Sequence, residues 1–186
     1  HQRLGVVLRV GAADHRDLGG VFVADALGPI PGTLPFSAIG LSGSSTLPRP
    51  DIVVAFKVFY FNPDDLRTGV QVADSSLGGG QGVHGGFGRE STANTMMAIG
   101  PDFKRGFVDD APVGNADIAP TLAKILGLRM DAKGALGGRV LVEALAGGPD
   151  APASMRRMLA SPADNGVQTV LYYRDLGGQR YAETAC

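Results

Sequence analysis

GGGQGVHGGFGRESTANTMMAIGPDFKRGFVDDAPVGNADIAPTLAKILGL, residues 78–128, is the stretch on which the reading of the fold turns. It opens with a loop holding seven glycines between Gly78 and Gly88 and one histidine, His84. Glycine alone visits positive φ without a Cβ clash, so such a loop folds tightly enough to hold an imidazole at its centre. Met96-Met97-Ala98-Ile99 follows, an apolar run closed by Gly100-Pro101, and reads as a buried strand ending in a turn. Asn115 or Asp117 then caps a helix running to about Leu126, with Gly127 just past its end. Pro120 is tolerated there because it falls in the helix's first turn.

Working outward, 186 residues suit one domain, large enough to bury about 70% of its unfolded surface. Seventeen basic and eighteen acidic residues give a net charge of −1, so charge alone draws the chain neither to nucleic acid nor to an anionic membrane. No apolar run reaches the roughly 20 residues that span a bilayer, and no charged-then-apolar leader stands at the start. Cys186, the single cysteine, excludes an internal disulfide and a cysteine-based zinc site. The 28 glycines sit between apolar runs, a pattern of a loop-rich domain rather than of disorder.

Residues 5–10, GVVLRV, and 19–24 read as strands, and residues 25–49 as a long excursion packed on them at Phe36, Ile39 and Leu41. Residues 52–61, IVVAFKVFYF, form the longest apolar run and predict a central strand buried on both faces, with Lys57 reaching a carboxylate or the surface. Residues 134–148 predict a short amphipathic helix carrying Val140, Leu141, Ala144 and Leu145 on one side. Residues 151–159 read as a second helix, with Arg156 and Arg157 on its solvated face. QTVLYYR and the segment 179–183 flank Asp175-Leu176-Gly177-Gly178, a hairpin signal in a tail covering residues 165–186. Phe103 and the Met96-Met97 pair read as core packing, and Lys104 and Arg105 as surface-turn residues.

The block 78–128 resembles the C-terminal part of the catalytic domain of the alkaline phosphatase superfamily, most closely its nucleotide pyrophosphatase/type I phosphodiesterase branch. The residues that carry the resemblance are Gly82, His84, Gly85, Gly100, Pro101, Phe103, Lys104, Asn115, Asp117 and Leu126-Gly127-Leu128. It implies part of a three-layer α/β sandwich with a mostly parallel or mixed sheet, built from strands at 5–10, 52–61 and 95–99. It also implies hydrolysis of phosphate mono- or diesters at two zinc ions, one activating a Thr or Ser nucleophile and the other holding a phosphate oxygen. His84 would be one zinc ligand, held by Gly82, Gly85 and Gly86. Arg89 and Ser91 are candidates to contact the phosphate, each with a plainer reading as an exposed loop arginine and a turn hydroxyl.

One histidine cannot hold zinc alone, since catalytic sites use about three protein ligands. The chain has His1, His15 and His84 only. Asp14-His15 is read as a polar turn, because Arg16 stands where the superfamily's Asp-His-Gly motif has glycine. No matching nucleophile turn is found. The expectation is therefore a C-terminal portion of a larger hydrolase domain, partnered by the missing N-terminal segment, with a phosphate-ester small molecule as substrate and a periplasmic or secreted location. The alternative is a truncated relative that keeps the fold as a binding or assembly module without catalysis. A third, weaker reading makes the glycine loop an anion cradle, although it lacks the Lys-Ser/Thr ending of a nucleotide-binding P-loop.

Overall fold

A computed structural model describes residues 18–41, 49–71, 85–131 and 137–186. The expected strand at 5–10, the Asp14-His15 turn, Gly82 and His84 lie outside the described residues. What is described is a mixed α/β arrangement of small sheets in which one helix exceeds a single turn.

The first sheet is centred on β1 (Leu18–Val23), which pairs in parallel with the two-residue β2 (Leu34–Pro35) and antiparallel with β3 (Ile52–Phe56). Its sequence, LGGVFV, does not advertise a central strand, yet Val21, Phe22 and Val23 are the most buried residues of the sheet. β3 is instead an edge, and the run 52–61 is not one strand. It breaks at Lys57, and Val58–Tyr60 continues as β4 in a separate antiparallel pair with β5 (Gly69–Gln71). Lys57 is exposed at the break, its ammonium 5.7 Å from the Phe59 ring centre. The apolar run was long because it serves two half-exposed edges, with Val54 and Phe59 both facing solvent.

The C-terminal sheet is antiparallel, in the order β6 (Met155–Ala160), β7 (Val170–Leu176), β8 (Gln179–Ala185). The β7–β8 hairpin closes through Gly177 and Gly178, at φ 60° and 88°, the pair of positive values that a two-residue hairpin turn requires. β6 occupies residues expected to be helical. Six consecutive register pairs with β7, from Met155↔Asp175 to Ala160↔Val170, outweigh the helix preference of Met, Arg and Leu. Arg156 and Arg157 nevertheless remain solvated.

The two three-stranded sheets share one core, in which Phe22, Leu34, Phe36, Ala38 and Ala55 meet Leu171, Tyr173 and Ala185. Thr169, fully buried, stitches them: its hydroxyl accepts from Val21 N–H at 2.8 Å and donates to Gly32 O at 2.7 Å. The excursion 25–49 does pack on this scaffold through Phe36 and Ile39, whereas Leu41 is exposed.

The helix expected near 115–126 is present. A 3₁₀ turn at Asn115–Asp117 leads into α2 (Ile118–Ile125), and Gly127 follows at φ 64°. Asp117 does not cap α2 through its side chain. Its carboxylate accepts from Gly114 N–H at 2.9 Å and from Arg139 N–H at 2.8 Å, so it ties the approach of the helix to a later segment. The helix expected within 134–148 is a single 3₁₀ turn, Val142–Ala144, in the part of that segment that is described. Residues 95–99 belong to no helix or strand, and Met97 and Ile99 are 90% and 99% exposed, so neither the buried strand nor the methionine core packing is found.

Candidate functional site

The described chain re-enters after the glycine loop at Gly85, and the following residues are anchored on three sides. Phe87 packs on Phe22, with ring centres 5.0 Å apart, and its carbonyl accepts from Ala185 N–H and the Thr184 hydroxyl. A one-turn helix, α1 (Arg89–Thr92), comes next. Thr92 donates from its hydroxyl to Glu183 O, fastening α1 to β8. On the other side Tyr60, from β4, accepts from Arg89 N–H at 3.0 Å and donates to Glu90 Oε2 at 2.5 Å. Burial, together with the Glu90 carboxylate beside it, raises the Tyr60 phenol above its ordinary range.

Ser91 donates to Glu90 Oε1 at 3.0 Å, so its hydroxyl is held locally. Gly86 lies against it: a Cβ there would stand 3.0 Å from Ser91 Oγ, whereas one on Gly85 would meet open space. Arg89 is exposed and lines a broad cleft of about 1330 Å³. The structure thus brings Gly85, Gly86, Arg89 and Ser91 into one neighbourhood. Their relation to His84 and Gly82 lies outside the described residues.

One wall of the cleft is the segment 94–98, another is the segment 107–113, and the floor is the outer face of the β6–β7–β8 sheet. Arg89, Lys104, Arg156, Arg157 and Arg174 line it against Asp109 and Glu183, so the lining is predominantly basic. Much of that charge is spoken for. Arg156 grips Glu183 through Nε and Nη2 at 2.8 and 3.1 Å, Arg174 donates to Ser154 Oγ, and Lys104 donates to Pro149 O while lying 4.7 Å from the Phe107 ring centre. Lys104 is therefore structural, as its place in a turn predicts.

Behind the wall 107–113 lies a polar cluster that sequence reasoning did not find. Glu143 is fully buried and meets Arg139 in an ion pair of 2.5 Å. Arg139 also donates to Tyr181 Oη at 3.1 Å and to Pro112 O at 3.1 Å. Burial and the neighbouring Asp117 carboxylate push the Tyr181 phenol up to about 12. Asp109, on the wall, accepts from Ala111 N–H through Oδ1. Burial first, and then the carboxyl of Glu143, pushes Asp109 above the usual carboxylate range. The i,i+4 spacing of Arg139 and Glu143 is a visible pair signal, but in sequence it marks a solvated helix face, not a buried ion pair.

Among the described residues, no three His, Cys, Asp or Glu side chains gather where a metal ion could sit. The described part does not by itself frame the zinc pair that the resemblance implies. Also among the described residues, no helix is long and apolar enough to cross a membrane. Comparison with protein-family models, with curated proteins and with solved structures returned no match.

Proposed function

We propose that the chain is the C-terminal part of an alkaline-phosphatase-like hydrolase domain that cleaves phosphate mono- or diesters. In this reading the loop 78–88 contributes His84 to one of two zinc ions, and the nucleophile and remaining ligands stand on a segment upstream. Arg89, exposed beside the loop's exit, is the described side chain best placed to meet a phosphate. The small sheets are then portions of a three-layer sandwich, and the same reading carries an exported location.

The observation that supports this most is the state of residues 95–99. They are largely apolar, follow closely on the glycine loop and α1, and make no backbone hydrogen bond to another strand among the described residues. An apolar segment left uncovered and unpaired suits a piece of a larger fold, because its N–H and C=O groups need partners once covered. The test is elemental analysis of the purified chain and of His84→Ala, followed by hydrolysis of bis(p-nitrophenyl) phosphate when an upstream segment bearing the nucleophile is supplied. Hydrolysis that appears on complementation and is lost with His84→Ala is the expected result. A well-folded complex with neither zinc nor hydrolysis would overturn the reading and leave the non-catalytic binding module.

A further inference from the structure

β6 is an edge of the C-terminal sheet: β7 pairs with one side of it, and among the described residues nothing hydrogen-bonds to the backbone of the other. It is also exposed almost throughout, with only Leu159 partly covered. Arg156, Arg157 and Met158, half of the strand, line the large cleft. We propose that this edge and the cleft take an extended acidic segment of another protein, which adds to the sheet as a further strand.

The backbone supplies the first argument. An open edge presents a row of unpaired N–H and C=O groups, and an extended chain laid along it satisfies them whatever its sequence. Size agrees with that kind of occupant. The cleft, at about 1330 Å³, exceeds the roughly 300–1,000 Å³ of small-molecule sites, while six residues of strand run about 20 Å.

Charge names the chemistry of the segment. The lining carries five cations against two carboxylates on a chain of net charge −1, so the positive charge is local to this face. Arg156 is neutralised by Glu183, but Arg174 and Lys104 donate to neutral groups, Ser154 Oγ and Pro149 O, and keep their charge. Arg157 comes no nearer to Asp175 than 4.0 Å. Arg174 also stands opposite Arg156 in the ladder, a like-charge pair that costs stability until an anion joins it. Two positions along the same face, Met158 stands opposite Tyr172, and the two are 59% and 41% exposed. Acidic and apolar side chains in alternation match that order. A second copy does not, because β6 against β6 gathers Arg156 and Arg157 of both chains into one ribbon. The same arginines guard the edge against strands that bring no acid.

The proposal does not rest on the hydrolase reading, and its test needs only the 186-residue chain. The probe is a fluorescein-labelled peptide of four Glu-Val repeats, followed by fluorescence anisotropy, with four Lys-Val repeats for comparison. The acidic peptide should bind, lose affinity as salt rises, and bind about tenfold more weakly to the double variant Arg157→Ala, Arg174→Ala. Methylating the amide nitrogens of either the Glu or the Val set removes the donors of one peptide edge, and at least one of these forms should lose binding. Amide exchange in β6 should slow when the parent peptide is bound. Failure of the acidic peptide to bind would overturn the proposal, as would equal binding of the basic one or full binding of both methylated forms. These results come from the unmodified chain and hold even where the arginine variant fails to fold. β6 amides protected in the free chain and released on dilution would give the edge to a second copy. Exclusion of the peptide by the upstream segment used for complementation would give it to the rest of a larger domain. Either result would also overturn the assignment to another protein.

Discussion

Thr169 shows how much one hydroxyl can hold. It accepts from a β1 amide and donates to a carbonyl of the loop after it, while its own amide donates to Ser161 Oγ at 3.0 Å. Thr169→Val keeps the shape and leaves Val21 N–H and Gly32 O buried without their partner. We expect a loss of about 1–3 kcal/mol in urea denaturation, and an unchanged midpoint would show that the stitch carries no stability. Tyr181 gives a second expectation at this scale. With its phenol pushed up to about 12, it should ionise above the ordinary phenol range in an alkaline absorbance titration, and Tyr181→Phe should delete that late step. Neither residue was legible in sequence. Thr169 ends QT before an apolar run and reads as ordinary strand chemistry, because its importance comes from a partner 148 positions away. Glu143 was hidden for a related reason: a carboxylate among Val, Leu and Ala reads as the solvated face of a helix, and only the folded chain around it makes it a buried group paired with Arg139.

Elements were legible where the determinants are local. The β7–β8 hairpin follows from Gly177-Gly178, and α2 from its apolar spacing and the glycine beyond it, and both stand where the residues put them. Elements fixed by partners were misread. β6 is a strand because β7 offers it a ladder, and β3 is an edge because β1, rich in glycine, takes the centre. Close approach is equally invisible in sequence. A Cβ on Gly138 would fall 1.9 Å from Ala116 O, just before α2, so the chain at 138 lies directly on the backbone that starts the helix. Gly138→Ala should force those segments apart and cost about 1–3 kcal/mol, the range for overpacking, with a fall in melting temperature as the readout. The segment 95–99 makes the opposite point: its apolar character was read correctly and its burial was not, since nothing described covers it.

Across the whole molecule, Phe61, Met97, Ile99 and Val108 are large apolar side chains left in solvent on a chain of net charge −1. Little net repulsion opposes contact between such surfaces. The chain alone should therefore self-associate at micromolar concentration and bind a hydrophobic dye, and the double substitution Met97→Lys with Ile99→Lys should reduce both by severalfold. Because those side chains contribute no packing, the melting temperature should stay within about a degree; a large drop would mean that they are buried in solution. If the hydrolase reading holds, the same double variant should also fail in complementation with an upstream segment, since it charges the surface the sheet would use.

The shared core has a consequence in time. Phe22 shares its core with Leu171 and Tyr173 of β7 and Ala185 of β8, so the earliest described strand takes part of its cover from the last two. On a ribosome adding about 5–20 residues per second, β1 waits for that part of its cover until β7 and β8 have been made. Contacts of such long sequence separation also make for slow closure once the chain is free. Folding of this core is an act of completion, finished only when the last two described strands have emerged.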